Sequence, residues 1–290
     1  MGLVRYALYR AYEADRIEAG NSMMALLAGA QLASHLLRLT EGSDRLLPEV
    51  FPHVPHIRRF NLTSEAANEI LLSADAHLGA MGVPYALAIH EDYLTSALAL
   101  LERGSLVTRG TAASSRLANQ HAQIAGATHG SFDPNSLAQL NTLRLMRNCL
   151  IHAGGRASSG LVSDVSTWSA TTETSWTKLA KRSPRTLVEG DVVEFGHGEM
   201  ILALAITKVL DRQVNEMLQN ALPREIWADM VVEELRDVNG ASLRAPDSVR
   251  KLRGIARHHY SPLGLDESEL RAALARVSVR GLGASEEGHP

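Results

Sequence analysis

The stretch Leu145-Met146-Arg147-Asn148-Cys149-Leu150-Ile151-His152-Ala153-Gly154-Gly155 closes an apolar run that opens after Asp133-Pro134-Asn135-Ser136. Those four residues form a turn sequence that places a proline and capping side chains where a helix begins. The glycines at the other end accept the left-handed backbone that terminates helices. A helix from Asn135 to His152 is predicted, with an arginine, an asparagine and a histidine in its last two turns.

Working outward, apolar residues recur at helical spacing over Val4 to Thr40, Ser64 to Met81, Tyr85 to Arg103 and Glu199 to Gln219. Gly20-Asn21 is expected to interrupt the first of these, and Gly82-Val83-Pro84 to separate the second from the third. Thr63 is placed to cap a helix. Gly155 to Lys178 is rich in Ser and Thr and lacks a period, which predicts a long loop with one short helix around Trp176. Thr186-Leu187-Val188 and Val192-Val193-Glu194-Phe195 flank Glu189-Gly190-Asp191, the pattern of a small β-hairpin. Beyond Pro223 three shorter helical patches follow, Arg224 to Asp237, Ala245 to His259 and Asp266 to Val277. The expected organisation is a helical core over residues 1–220, a small helical region over 221–280 and a flexible tail over 281–290.

Composition agrees with a mainly α fold. Of the 290 residues 45% are hydrophobic and only 4% aromatic, with Leu and Ala prominent, which supports a large helical core over an aromatic-rich sandwich or barrel. The formal charge of −3 gives no global attraction to nucleic acid, so a polyanion must be met by a local cluster. One cysteine, Cys149, excludes an internal disulfide framework and a multi-cysteine zinc site, and fits a reducing compartment. Charged residues through Met1 to Arg16 interrupt any signal-peptide core, and the richest apolar stretch, Met23 to Leu39, is broken by Gln31, Ser34, His35 and Arg38. A cytoplasmic protein without a membrane span or bound cofactor is expected.

Arg147 followed at once by Asn148, then apolar residues, then His152 resembles the Arg-x4-6-His signature of HEPN domains, here with a spacing of four. The Ala153-Gly154-Gly155 ending is similar to that of many bacterial members, and the resemblance covers about Thr63 to Gln219. It implies a HEPN-type helical bundle, to which the N- and C-terminal helices are additions. It also implies that two copies meet across a two-fold axis, so that each Arg and His faces its counterpart in one cleft. On a single helix the two are rotated by about 140° and do not share a face. The implied activity is metal-independent cleavage of RNA by a homodimer, in a toxin-antitoxin or phage-defence setting with a regulatory partner protein.

The residue types suit that chemistry. Attack of a 2′-hydroxyl on the adjacent phosphate needs a base, an acid and positive charge at the developing phosphorane. His152 can carry a proton either way, and it sits where the carbonyl end of a helix attracts a cation. Arg147 can hold the phosphate in a bidentate fork. Asn148 can orient His152 or the phosphate. Glu91, beside His90 in the Tyr85 to Arg103 helix, is a candidate to position the pair. Cys149, between apolar neighbours, reads as a buried small hydrophobe.

Candidate phosphate contacts are Arg144 and Arg156 beside the motif, Lys181 and Arg182 in the cluster from Lys178 to Arg185, and Arg250, Lys251 and Arg253 in the basic C-terminal run. Such runs more often form solvated faces. Gly196-His197-Gly198-Glu199 lacks the setting of a dinucleotide fingerprint, and the cysteine partner motif of zinc deaminases is absent. His53 and His56 have no nearby carboxylates, and no metal site is expected. Two other classes fit the same residues: a non-catalytic HEPN-like module binding nucleic acid, a nucleotide or a protein, and a regulator reading DNA through its C-terminal helices.

Overall fold

Helices form almost wherever the apolar period runs, and in two places where it does not. The computed structural model describes residues 2–40, 42, 45–239 and 246–283. Along them run α1 (Ala7–Leu37), α2 (Leu47–Val50), α3 (Ser64–Leu72), α4 (Ala74–Arg103), α5 (Thr111–Ser114), α6 (Gln120–Thr128), α7 (Pro134–His152), α8 (Ser159–Ser166), α9 (Ala170–Ala180), α10 (His197–Ala221), α11 (Arg224–Asn239), α12 (Ser248–His259) and α13 (Glu267–Gly283). Extended pairing among the described residues is confined to two isolated bridges, Leu46 with Thr63 and Arg156 with Val192. The mainly α class is the one observed. Of the expected tail, residues 284–290 lie outside the described residues, and 281–283 finish α13.

Four local expectations are corrected. Gly20-Asn21 does not break α1, because Gly20 is a packing glycine whose missing Cβ would lie 3.4 Å from Leu204. Gly82-Val83-Pro84 runs inside α4, and the break falls earlier, at Ser73, where α3 and α4 meet at 56°. The glycines of α4 serve close approach: a Cβ on Gly79 would lie 2.8 Å from the Phe195 backbone, and one on Gly82 2.8 Å from the Met23 sulfur. In the Ser/Thr-rich segment the short helix expected around Trp176 is present as α9, but the expected long loop before it is occupied by a second helix, α8. Ser158 and Ser169 are their N-caps, accepting hydrogen bonds from the amides of Leu161 and Thr172.

The hairpin is also replaced. Pro184–Thr186 is a 3-10 turn, since proline has no N–H to give to a ladder. Val192-Val193 pairs instead with the chain leaving α7: Val193 N–H donates to Gly155 O at 2.8 Å and Ala157 N–H to Asp191 O at 2.8 Å. The strand-forming residues were legible; their partner was not.

The chain gathers into two compact units, each drawn from separated segments. Unit 1 comprises Met1–Ala14, Ile89–Asp133 and Lys208–Pro290, so the region 221–280 shares a unit with the N-terminus. Its core is aromatic. Trp227 sets its edge against Tyr6 at 5.4 Å, Tyr12 stacks on Tyr93 at 4.8 Å, and the hydroxyls of Tyr6 and Tyr93 share a hydrogen bond of 2.8 Å. Burial, more than any neighbour, pushes both phenols far above the usual tyrosine range, which keeps them neutral. In the same unit α11 packs on α12 and α13.

Unit 2 comprises Asp15–Ala88 and Pro134–Thr207. Here α7 packs on α8 and α9, and polar cross-links fix the contact. Gln139 donates to Thr172 O at 2.9 Å, Thr142 donates to Asp164 at 2.6 Å, and the Trp168 indole donates to Thr142 at 3.2 Å. Trp168 and Trp176 lie 5.0 Å apart beneath them.

Close backbone contact and open space give opposite outcomes for the same substitution. A Cβ at Gly198 would lie 2.6 Å from Ala180 Cα, whereas one at Gly254, inside α12, meets nothing within 4 Å. Gly198→Ala should lower stability by about 1–3 kcal/mol through overpacking. Gly254→Ala should raise it by roughly 0.5–1 kcal/mol. Urea unfolding followed by far-UV circular dichroism measures both.

Candidate functional site at the end of helix α7

Unit 2 carries the motif. His152 is the last residue of α7, and the amides of Ala153 and Gly155 both donate to Cys149 O at 3.0 Å. Gly154 and Gly155 turn the chain with φ of 59° and 75°, a region L side chains avoid. Gly155 to Ala157 then pair with residues 190–193, which ties down the exit from the helix.

Helical rotation separates the three motif residues. Asn148 and His152 lie about 40° apart and share one face, and both are exposed, as is Ile151 at 57%. Arg147 points elsewhere around the helix and is half-buried. A single copy therefore presents an amide and an imidazole together and holds its arginine apart. Cys149 is buried, with Ser158 Oγ 3.6 Å from its sulfur, in keeping with a packing role.

The candidate phosphate contacts divide into exposed cations and cations already committed. Arg182 Nε reaches the buried Glu199 at 2.8 Å, and its other nitrogens reach the carboxylate and backbone oxygen of Glu194. Burial lowers the Arg182 pKa, and the hydrogen bonds it donates to Glu199 and Glu194, with the charges of those carboxylates, outweigh burial and raise it overall. Lys181 is exposed and donates to Lys178 O at 2.9 Å, and Arg156 donates to Gly190 O at 3.1 Å. Arg144 is half-buried on α7. A cavity of about 170 Å³ lies against Met146, between Arg182, Pro184, Leu187, Val192 and Glu199. That is smaller than the roughly 300 Å³ at which ligand pockets begin.

Glu91, Arg250, Lys251 and Arg253 fall in unit 1. The three basic residues are exposed on α12 and paired with acids: Lys251 lies 3.1 Å and Arg250 3.7 Å from Asp247, and Arg253 lies 2.8 Å from Glu267. Glu91 is buried beside a polar cluster that sequence reasoning missed. In it His90 Nδ1 is 2.9 Å from Asp211 and His90 Nε2 is 3.0 Å from His121 Nε2, with Phe132 edge-on to His121. The available signal was Asp211 itself, an acid that directly follows Val209-Leu210 at the end of the apolar run of α10.

Among the described residues no three His, Cys, Asp or Glu side chains are placed to hold a metal ion. No single helix among them is both long and apolar enough to cross a membrane. Compared with family models, with characterised proteins and with solved structures, the chain matches none of them.

The contacts of Arg182 separate structure from binding. Arg182→Ala removes the cation from the buried Glu199, which keeps the Gly196 amide at 2.9 Å, and should cost about 1–3 kcal/mol, while Lys181→Ala should stay within about 0.5 kcal/mol of wild type. Urea midpoints compare the two.

His259 gives a pH dependence. Burial first, and then the positive charge of Arg10, hold it below the ordinary imidazole range, with Glu234 opposing. A histidine depressed in the fold stays neutral where its unfolded counterpart takes up a proton. Stability therefore declines as pH falls below about 6.5 toward the depressed native value. His259→Gln should flatten that decline in urea midpoints taken across the window.

Proposed function

We propose that this protein is a HEPN-type, metal-independent endoribonuclease that works as a homodimer. The observation that carries the reading is the placement of Arg147, Asn148 and His152 in the final turns of α7, with Asn148 and His152 exposed on one face. A two-fold axis near that end would bring two imidazoles and two guanidinium groups to one phosphate, the convergence that one copy lacks.

The step then balances as an in-line displacement. The 2′-oxygen forms a bond to phosphorus as the bond to the 5′-oxygen breaks. His152 of one copy takes the 2′-hydroxyl proton, and His152 of the second copy gives a proton to the departing 5′-oxygen. Arg147 stabilises the charge on the phosphorane. The product carries a 2′,3′-cyclic phosphate. A ribonuclease of this kind acts as a toxin or phage-defence effector and requires restraint by a regulatory partner protein.

The half-burial of Arg147 favours a second reading, a non-catalytic helical module of the same family that binds nucleic acid, a nucleotide or a partner protein at the exposed end of α7. Incubating the full chain with mixed RNA in chelator separates the two. Cleavage to cyclic-phosphate ends is expected, with Arg147→Ala and His152→Ala each at least about 100-fold slower while helical content is unchanged. Equal cleavage by wild type and both variants would sink the mechanism, and binding without cleavage would favour the module.

A further inference from the structure

Residues 47–62 leave and re-enter the fold at one point. The Leu47 amide donates to Leu62 O at 2.8 Å, the Ser64 amide donates to Arg45 O at 2.9 Å, and Leu46 bridges Thr63, which caps α3. Between these ties sixteen residues form an Ω-loop, a compact kind of surface loop that often carries function. Its first side is α2, which packs on α3 and on the 3-10 turn Ile57–Arg59. Short turns follow one another: the amides of Val54, Ile57 and Phe60 donate to the carbonyls of Phe51, Val54 and Ile57 at 3.3, 3.3 and 3.1 Å. Pro52 and Pro55 fix φ along the same stretch. A loop so tied has little freedom left to lose on binding.

Its outer surface is cationic and aromatic. His53, His56, Arg58 and Arg59 are exposed, and Phe60 is 66% open to solvent. From Val50 to Ser64 the sequence has no Asp or Glu. Among the described residues neither Arg58 nor Arg59 is paired with an acid, whereas Arg10, Arg103, Arg182 and Arg276 each are. The lack of carboxylates that argues against a metal at His53 and His56 leaves the segment open to an anion.

We propose that this loop is a binding site for single-stranded RNA. Arg58 and Arg59 are successive residues of a 3-10 turn, about 120° apart, so they diverge and take two phosphates instead of one. Each guanidinium offers a fork that matches phosphate oxygens. Phe60 follows with an open ring on which a base stacks, and the imidazoles of His53 and His56 add further ring faces. A duplex keeps its bases stacked inside, so an exposed ring selects the unpaired strand. A lipid surface fits less well. Membrane-interface segments use amphipathic helices with Lys on the polar face and Trp or Tyr at headgroup depth. The loop contains no Lys, Trp or Tyr, and its helical pieces are four and three residues long. It belongs to unit 2, as α7 does, but shares no residue with the α7 motif, and the proposal stands whether or not the chain cleaves RNA.

A labelled single strand of 2′-O-methyl RNA, which lacks the nucleophile for cleavage, separates binding from chemistry. Titrated with the full chain in chelator and followed by fluorescence anisotropy, it should bind more tightly than the corresponding duplex. The double variant Arg58→Ala, Arg59→Ala should weaken binding by about tenfold or more. It should also lower the slope of log affinity against log salt by about 1.4, the share of two phosphates on a single strand. Phe60→Ala should weaken binding by about fivefold or more with that slope unchanged, and Phe60→Trp should keep it. All these positions are exposed, so helical content should be unaltered. Arg147→Ala should bind nearly as wild type does. Loss of binding in Arg147→Ala alone would place the strand at α7 and overturn the loop site while leaving the cleavage reading intact. No binding by wild type, loop variants that bind as wild type does, or loop variants that lose anionic phospholipid vesicles in place of RNA would each overturn it too.

Discussion

Five carboxylates are buried among the described residues, Glu91, Glu199, Asp211, Asp229 and Glu234, and much of the helix register depends on how the last four are held. Asp211 and Glu199 meet an imidazole and a guanidinium, His90 and Arg182. Asp229 takes Arg276 at 2.7 Å, and Glu234 takes Arg10 at 2.7 Å together with the Tyr260 hydroxyl at 3.1 Å. Removing one partner from a buried ion pair leaves a charge that costs several kcal/mol. A helix that slid by one residue would break these contacts at once, so they specify the fold in a way that apolar burial, which is not directional, cannot.

That requirement shapes what the surface can offer. Arg10, Arg103, Arg182 and Arg276 serve the interior or its margin, and Arg250, Lys251 and Arg253 of α12 pair with Asp247 and Glu267. An acidic phosphate backbone approaching the protein meets fewer unengaged cations than the count of arginines and lysines suggests. Under the proposed function, recognition of RNA at the cleavage site would rely on short-range geometry at the end of α7, where the glycine turn holds Asn148 and His152 at the surface.

Much of this was legible in the sequence, for identifiable reasons. The start of α7 at Pro134 and its end at His152 follow from proline and glycine chemistry, which is local. The burial of Cys149 follows from its apolar neighbours. The Ser/Thr-rich segment misled because serine favours both loops and helix N-caps, and only a neighbour's amide decides between them. Gly20 and Gly82 read as breakers although they serve close approach, a fact set by residues far along the chain. His121 and Asp211 could not be joined to His90 from spacing, since they are brought together only by packing. The two-unit organisation was hidden for the same reason.

The interleaving of segments has a consequence for synthesis. In unit 1 the amide of Arg5 donates to the carbonyl of His259, and the carbonyl of Val4 accepts from Asn215. A ribosome adding about 5–20 residues per second leaves the first turn of the protein waiting on the order of ten seconds or more for those partners. During that interval Tyr9 and Tyr12 have Tyr93 to pack on, but Tyr6 lacks Trp227 and the Tyr260 beyond it, so one side of the aromatic cluster is complete long before the other. A truncation before α11 would remove Trp227 and Tyr260 together and leave Tyr6 permanently without them.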